Sequence, residues 1–238
     1  TLRASEASSA RVISLMVGRE LKDQFPKVSA ELGPELLRVD HICCQNRIND
    51  VSFGVRRGEI LGISGLVGSG RSSLVHSIFG SIQRDSGKIY ISGREVSINS
   101  PRDAVACGIA LVPEERRHQG IVLSRSVGEN ISLAGLSNLC RAGLINRQLE
   151  RHSVSRCMDL CTIKAPSPDS CVAELSGGNQ QKVVIAKWLE SRAEIFLFDE
   201  PTRGIDVGAK AEIYRLMGGL VKKGAAVVMV SSELPEIL

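Results

Sequence analysis

One stretch of the chain combines residue types that bind phosphate groups. Residues 65–72 read Gly-Leu-Val-Gly-Ser-Gly-Arg-Ser, after an apolar run at 59–64 and before a helix-like pattern at 73–79. A strand, a glycine-rich loop and a helix in this order place backbone N–H groups around an anion. The stretch departs from the pattern G-x-x-x-x-G-K-[ST] at one position, where Arg71 replaces lysine. The predicted phosphate-binding residues are Gly65, Val67, Gly68, Ser69, Gly70, Arg71, Ser72 and Ser73. The alternative is a tight strand-to-helix turn without a ligand.

Two acidic residues follow a buried strand later in the chain. Asp199 and Glu200 come directly after Ile195–Phe198, at the strand end where open α/β sheets bind ligands. We expect Asp199 and Ser72 to supply oxygen ligands for Mg²⁺, and Glu200 to act as a general base toward water. The alternative is that both acids merely cap the following turn.

A third candidate segment opens a predicted helix. Residues 175–182 read Leu-Ser-Gly-Gly-Asn-Gln-Gln-Lys, and a serine with two glycines at a helix N-terminus forms a second anion site. Since one phosphate site does not require another, this segment suggests that two domains share nucleotides. An ordinary helix N-cap by Ser176 is the alternative.

The elements that must position these residues follow from hydrophobic periodicity. Strands are predicted at 36–39, 51–55, 59–64, 86–93, 108–113, 194–199 and 225–230. Helices are predicted at 73–79, 101–107, 178–191 and 207–221, with further helices at 126–136 and 147–163 where strand signals disappear. Strands that alternate with helices predict an α/β fold with a mostly parallel sheet, here interrupted by a helical insertion.

Composition excludes several classes of protein. The 238 residues carry a net charge of +4, and because both signs are interspersed we expect a solvated surface without a nucleic-acid groove. No apolar run approaches the roughly 18 residues of a membrane span, so we expect a soluble chain. The 7 cysteines are scattered, without zinc-ligand spacing. We expect reduced thiols in a cytosolic protein, with Cys157 and Cys161 as packing residues.

The three segments together resemble the nucleotide-binding domain of ATP-binding cassette (ABC) transporters, across about residues 35–238. Leu175-Ser176-Gly177-Gly178 is similar to the family signature, and Asp199-Glu200-Pro201-Thr202 to its Walker B segment. Gly204-Ile205-Asp206 is similar to its D-loop. The resemblance implies a P-loop NTPase fold with a small antiparallel β subdomain, and ATP with Mg²⁺ as ligands.

A narrower resemblance is to the ATPase subunits of bacterial monosaccharide importers of the ribose, galactose and xylose type. Residues 175–182 and 199–210 carry it, and the second of the two fused cassettes in those subunits typically has arginine in its phosphate loop. Residues 1–34 are then a linker from the preceding cassette, with 10–20 resembling the joining segment. Residues 35–238 form the ABC ATPase domain, with a helical subdomain at about 115–178. Both ends look cut, so we expect truncation at the C-terminus.

The resemblance also implies partners and further ligands. Such cassettes pair head to tail, so that Ser176, Gly177, Gly178 and Asp206 complete the ATP site of another cassette. A surface between the subdomains docks on membrane permease subunits, which receive sugar from a binding protein. The expected location is the cytoplasmic face of the bacterial plasma membrane, without nucleic acid.

The chain departs from the family pattern at positions that touch nucleotide. Glu114 replaces a glutamine that links nucleotide to permease, Ser232 replaces a switch histidine, and no aromatic near Cys43-Cys44 corresponds to the usual adenine-stacking residue. Arginine is longer and forked where lysine is a compact point charge. We therefore expect a weakened phosphate loop in a sugar-importer ATPase. The alternatives are a non-hydrolysing regulatory module and a soluble ABC ATPase of translation or DNA repair.

Overall fold

The structure, a computed structural model, describes residues 25–237 except 27, 46, 67 and 142. The predicted joining segment at 10–20 and the candidate residue Val67 therefore lie outside the described residues. Within the linker predicted at 1–34, Phe25 packs its ring on Tyr214 with 5.7 Å between centroids. The backbone N–H of Gly33 donates to the Arg57 carbonyl at 2.9 Å. The described end of this segment thus lies against the domain that follows it.

The elements alternate along the chain as the sequence predicts. The strands are β1 (Glu35–Cys44), β2 (Ile48–Arg56), β3 (Ile60–Ser64), β4 (Ser86–Ile91), β5 (Arg94–Val96), β6 (Ile109–Val112), β7 (Cys140–Arg141), β8 (Leu144–Ile145), β9 (Ile195–Asp199) and β10 (Ala226–Ser231). The α-helices are α1 (Arg71–Ile78), α2 (Pro101–Ala106), α3 (Val127–Ser132), α4 (Leu136–Leu139), α5 (Arg147–Leu160), α6 (Gly177–Glu190), α7 (Val207–Lys222) and α8 (Leu234–Ile237).

A four-stranded parallel sheet in the order β3-β10-β9-β6 forms the centre of the domain. Strands β6, β9 and β10 are buried along their whole length, which explains their continuous apolar runs. The register pairs Ser231 with Ser64, and Val230 with Asp199. The carboxyl ends of β3, β10 and β9 therefore meet at one edge of the sheet.

Strands from the first part of the chain form a second, antiparallel sheet in the order β2-β1-β4-β5. Strand β1 is longer than the predicted 36–39 and reaches Cys44. The short strand β5 was not among the predicted elements. The parallel core with its small antiparallel sheet confirms the predicted α/β fold class.

The region between β6 and α6 is mainly helical, with three differences from the prediction. The helix expected at 126–136 ends at Ser132 and continues as a 3₁₀ turn at Leu133–Gly135 and as α4. The helix expected to reach 163 ends at Leu160, because Thr162 takes a left-handed φ of 50°. A two-residue hairpin of β7 and β8 lies where no strand was expected.

Buried side chains connect helix α6 to α5 and to the segment that follows β6. Cys157 and Cys161 are buried in the same core as α6, as expected of packing residues. Lys187 is only 7% exposed, and its Nζ donates to the Gly120 carbonyl at 2.7 Å. Burial lowers the pKa of Lys187 from 10.5 to about 8, because desolvation disfavours the ammonium form.

We predict that Lys187 makes the stability of the domain depend on pH in the alkaline range. Below pH 8 the folded chain holds a desolvated ammonium, which costs free energy of folding. Deprotonation of Lys187 removes this cost as the pH rises toward 10.5. Between those values the unfolded chain binds more protons, so the free energy of unfolding rises, by up to about 3 kcal/mol. Urea unfolding of the wild type and of Lys187→Met measures the effect. The variant's curve should lack this rise, and parallel curves would contradict the prediction.

Candidate functional site

The candidate site lies at the sheet edge where β3, β9 and β10 end. Helix α1 begins there at Arg71 and buries Leu74, Val75 and Ile78 against the core. Its N-terminus therefore faces the strand ends, as in phosphate-binding folds. The phosphate loop, described at 65, 66 and 68–70, lies between β3 and α1 along this edge.

The loop needs glycine at two of its positions. Gly68 and Gly70 have φ values of 86° and 92°, in the left-handed region that favours glycine. A Cβ on Gly70 would also lie 2.6 Å from the Arg47 carbonyl oxygen. The turn between β1 and β2 thus packs directly on the loop. Ser69 is exposed, whereas Ser73 is buried at 8% exposure in α1.

Ser72 and Asp199, the two expected Mg²⁺ ligands, contact each other. The Ser72 hydroxyl donates to Asp199 Oδ1 at 2.9 Å, although the residues are 127 positions apart. Asp199 is 1% exposed, and burial raises its pKa to about 6, with Glu200 adding to the rise and the Ser72 hydrogen bond opposing it. A bound cation would relieve the cost of this buried carboxylate.

The donor chemistry fits Mg²⁺. A hydroxyl and a carboxylate are hard oxygen ligands, and Mg²⁺ commonly uses few protein ligands together with nucleotide phosphates. Within the described ranges, no group of three or more His, Cys, Asp and Glu side chains could hold a metal by itself. Ser72 and Asp199 would hold the ion, and the ion would neutralise phosphate charge.

His76 is a neighbour of this pair that the sequence analysis missed. Its Nε2 lies 3.7 Å from Asp199 Oδ2, and burial lowers the pKa of His76, which favours the neutral imidazole. The available signal was helical spacing, since residues 72 and 76 share a helix face.

Arg71 points back across the sheet edge. Its Nη1 donates to the Ser231 carbonyl at 2.8 Å and also contacts the Gly65 carbonyl. Its Nη2 lies 3.3 Å from Glu200 Oε1, and both side chains are only 10% exposed. The guanidinium is therefore already bound by two carbonyls and a carboxylate.

Glu200 is held from both sides. Its backbone has a left-handed φ of 45°, a conformation that is strained for a residue other than glycine. Its Oε1 accepts from Arg71, and its Oε2 accepts from the Ser232 hydroxyl at 3.1 Å. The structure thus brings together three candidate residues, Arg71, Glu200 and Ser232.

The signature segment lies against a different set of groups. Ser176 caps α6 by accepting from the Asn179 N–H at 3.4 Å, and its side chain is exposed. A Cβ on Gly177 would lie 2.6 Å from Arg116 Nη2, and one on Gly178 would lie 2.5 Å from the Ala209 Cβ. Ser176 therefore does cap the helix, as the alternative to an anion site proposed. Its exposed side chain remains accessible to a ligand.

Asp206 and Glu114 also have contacts within the chain. Asp206 caps α7 by accepting from the Ala209 N–H at 2.9 Å. Glu114 forms an ion pair with Arg203, whose carbonyl accepts from Arg116 Nη1 at 3.3 Å. The loops after β6 and β9 are thereby joined. Nothing in the sequence pattern indicated this pairing.

Comparison with known proteins identifies the family. The model of the family described as "ABC transporter" matches residues 48–203. The ribose import ATP-binding protein RbsA of Geobacillus kaustophilus is 48% identical over 238 residues, which are 100% of this chain and 48% of that protein. The xylose import ATP-binding protein XylG of Photobacterium profundum is 46% identical over 246 aligned residues, with 100% and 48% covered. The chain spans about half the length of these curated relatives.

Solved structures agree on the fold. A nucleotide-free ATP-binding cassette from an ABC transporter matches with a TM-score of 0.71 and 21% identity, over 85% of this chain and 83% of that one. The dimeric post-hydrolysis cassette MJ0796, bound to ADP and Pi, matches with a TM-score of 0.72 and 21% identity, over 85% and 90%. Among the described helices, none has the length and apolarity of a bilayer span.

These matches confirm the fold and the family that the phosphate loop, signature and Walker B segments predicted. The chain belongs to the ABC transporter family and has the ATP-binding cassette fold.

Proposed function

We propose that this chain is an ATP-binding cassette that energises monosaccharide import, with Mg-ATP bound between its phosphate loop and the signature of another cassette. The observation that carries the proposal is the contact of Ser72 with Asp199 at 2.9 Å, on the carboxyl edge of the parallel sheet. Sugar import is supported by relatives named for ribose and xylose import. The corresponding location is the cytoplasmic face of a bacterial plasma membrane.

We further propose that it is the second cassette of a tandem subunit and that its own phosphate loop is weakened. The support is the geometry of Arg71, whose guanidinium binds the carbonyls of Gly65 and Ser231 and the carboxylate of Glu200. A nucleotide phosphate would compete with all three acceptors for the same group. Its signature face is complementary to this role, since the exposed Ser176 is open to the ATP of a partner cassette.

A non-hydrolysing nucleotide-binding module is the second candidate function. The contacts of Glu200 favour it, because both carboxylate oxygens accept hydrogen bonds from neighbours within the chain. A general base needs access to the attacking water. The two candidates differ in whether Glu200 contributes to turnover.

We propose that the groove between α1, α2 and α6 docks the permease. Its volume is about 870 Å³, and Phe79 and Trp188 form an edge-on aromatic pair in it, with ring centroids 5.8 Å apart. The buried indole N–H of Trp188 has no hydrogen-bond partner among the described residues. Arg102 and Gln119 supply a polar rim. Aromatic anchors inside a polar rim are typical of protein interfaces.

We predict that the chain binds Mg-ATP more weakly than micromolar and that Arg71→Lys tightens binding by about tenfold. Lysine is a compact ion and cannot maintain the forked contacts of Arg71, so its charge becomes available to phosphate. Calorimetric titration measures both affinities, with Arg94→Lys on the exposed β5 as the control. Micromolar or tighter binding by the wild type would contradict the weakened loop.

In the protein that contains both cassettes, we predict a large loss of activity for a change in the signature and a small loss for a change at Glu200. Ser176→Arg should abolish ATP turnover and sugar uptake, because it blocks the partner's site. Glu200→Gln should lower turnover by less than about tenfold, a smaller loss than removal of a working general base causes. Asp169→Arg, on an exposed loop, is the matched control. If Glu200→Gln removed uptake as completely as the equivalent change in the first cassette, the weakened-site proposal would be wrong.

We predict that a pull-down with the tagged chain recovers permease subunits and that Arg102→Glu recovers several-fold less. Reversing a charge on the rim disturbs electrostatic complementarity with the permease and leaves the packing of the hydrophobic core unchanged. Arg94→Glu reverses an exposed arginine away from the groove and should recover as much as the wild type. Recovery of ribosomes or DNA in place of permease would instead favour a non-transport ABC ATPase.

A further inference from the structure

We propose that Glu236 is a positioning residue whose carboxylate fixes the loop after β9 relative to the turn after β10. The inference rests on the proposed function, since those two segments carry Glu200 and Ser232. Glu236 lies on α8, outside the three motifs that the sequence analysis identified. Its side chain is only 1% exposed, which is unusual for a glutamate without a structural or functional role.

One carboxylate oxygen holds the loop after β9. The Thr202 hydroxyl donates to Glu236 Oε1 at 2.6 Å, and Thr202 is itself 2% exposed. Thr202 follows Glu200 by two residues, and the Arg203 N–H donates to the Glu200 carbonyl at 3.1 Å. The hydrogen bond from Thr202 therefore fixes the tight turn in which Glu200 has its left-handed backbone.

The other oxygen holds the end of β10. The Ser231 hydroxyl donates to Glu236 Oε2 at 2.7 Å, and Ser231 is fully buried. The Ser231 carbonyl accepts from Arg71, and the neighbouring Ser232 donates to Glu200. Glu236 thus contacts Ser231, which binds Arg71 directly and adjoins the residue that binds Glu200.

The negative charge of Glu236 is balanced by Lys210 of α7. Lys210 Nζ lies 3.1 Å from Glu236 Oε1 and 2.8 Å from Glu233 Oε1. Glu233 is more than half exposed, and the described hydrogen bond of the Thr202 hydroxyl goes to Glu236. Glu233 can therefore satisfy the lysine without Glu236, whereas only Glu236 connects Thr202 to Ser231 among the contacts described.

The geometry separates a positioning role from a charge role. Glu236→Gln keeps the length of the side chain: its amide oxygen can accept from Thr202 and its amide nitrogen can donate to Ser231 Oγ. Ser231 can in turn donate to the Glu233 carbonyl, 3.5 Å away. Glu236→Asp keeps the charge but is one methylene shorter, so it cannot reach both hydroxyls. A positioning role is thus preserved by glutamine and lost with aspartate.

Hydrogen–deuterium exchange of the 238-residue chain tests the proposal, with ATP affinity from calorimetry as the second readout. Glu236→Asp should speed exchange of peptides covering 199–203 and 230–233 by about tenfold, since it frees both segments to open locally. It should weaken ATP binding several-fold. Glu236→Gln and Glu233→Gln should both stay within about twofold of the wild type.

A general loss of stability is distinguished by Val154→Ala, a buried position on α5 at 3% exposure. This variant should speed exchange broadly and leave ATP affinity unchanged. Unchanged exchange at the two segments in Glu236→Asp, or equal effects of aspartate and glutamine, would overturn the proposal. Absence of any ATP binding by the wild type would count against the proposed function instead, and the exchange comparison would still decide the role of Glu236.

Discussion

Strand β10 is the constraint on which the rest of the site depends. It hydrogen-bonds to β3 on one side and to β9 on the other, so it sets the distance between the phosphate loop and the acidic pair. Parallel pairing fixes where each strand ends, because a shift in register would move every side chain to the other face. Ser64, Asp199 and Ser231 are therefore brought to one edge by backbone hydrogen bonds alone. The candidate-site side chains add specificity to an edge that the sheet has already built.

The charged side chains at this edge are buried, and their desolvation costs free energy. Asp199 has its pKa raised to about 6 by desolvation, and Arg71 and Glu200 are both nine-tenths buried as an ion pair. Removing charges from water costs several kcal/mol per ion, and the cost is offset only when every polar group is satisfied. The structure meets this demand through the carbonyls of Gly65 and Ser231 and the hydroxyls of Ser72 and Ser232. A phosphate that enters the loop must therefore exchange with contacts that already balance these charges.

Local signals in the sequence predicted most of the fold and the family. Continuous apolar runs predicted β6, β9 and β10, and the glycine-rich loop and its helix lie where expected. The boundaries that differed depend on single residues, such as the left-handed Thr162 that ends α5. The side-chain contacts of the site were less accessible to sequence reasoning. Arg71 reaches Ser231 across 160 positions and Glu200 across 129, and such pairings arise from the folded sheet.

The same geometry accounts for the proposed division of labour between the two anion sites of the domain. The arginine of the phosphate loop already has a partner within the chain, since Glu200 accepts hydrogen bonds from both Arg71 and Ser232. The signature residue Ser176 accepts from the backbone N–H of Asn179 at 3.4 Å and from its side-chain amide at 3.1 Å, and it remains exposed. Both contacts use the hydroxyl oxygen as acceptor, so under the proposed function a partner's phosphate would accept the Ser176 hydroxyl proton, whereas three acceptors within the chain already bind Arg71. Under the proposed function, an arginine in the loop would therefore lower the affinity of one composite site without disturbing the other, and one cassette of a pair would specialise while the fold stays unchanged.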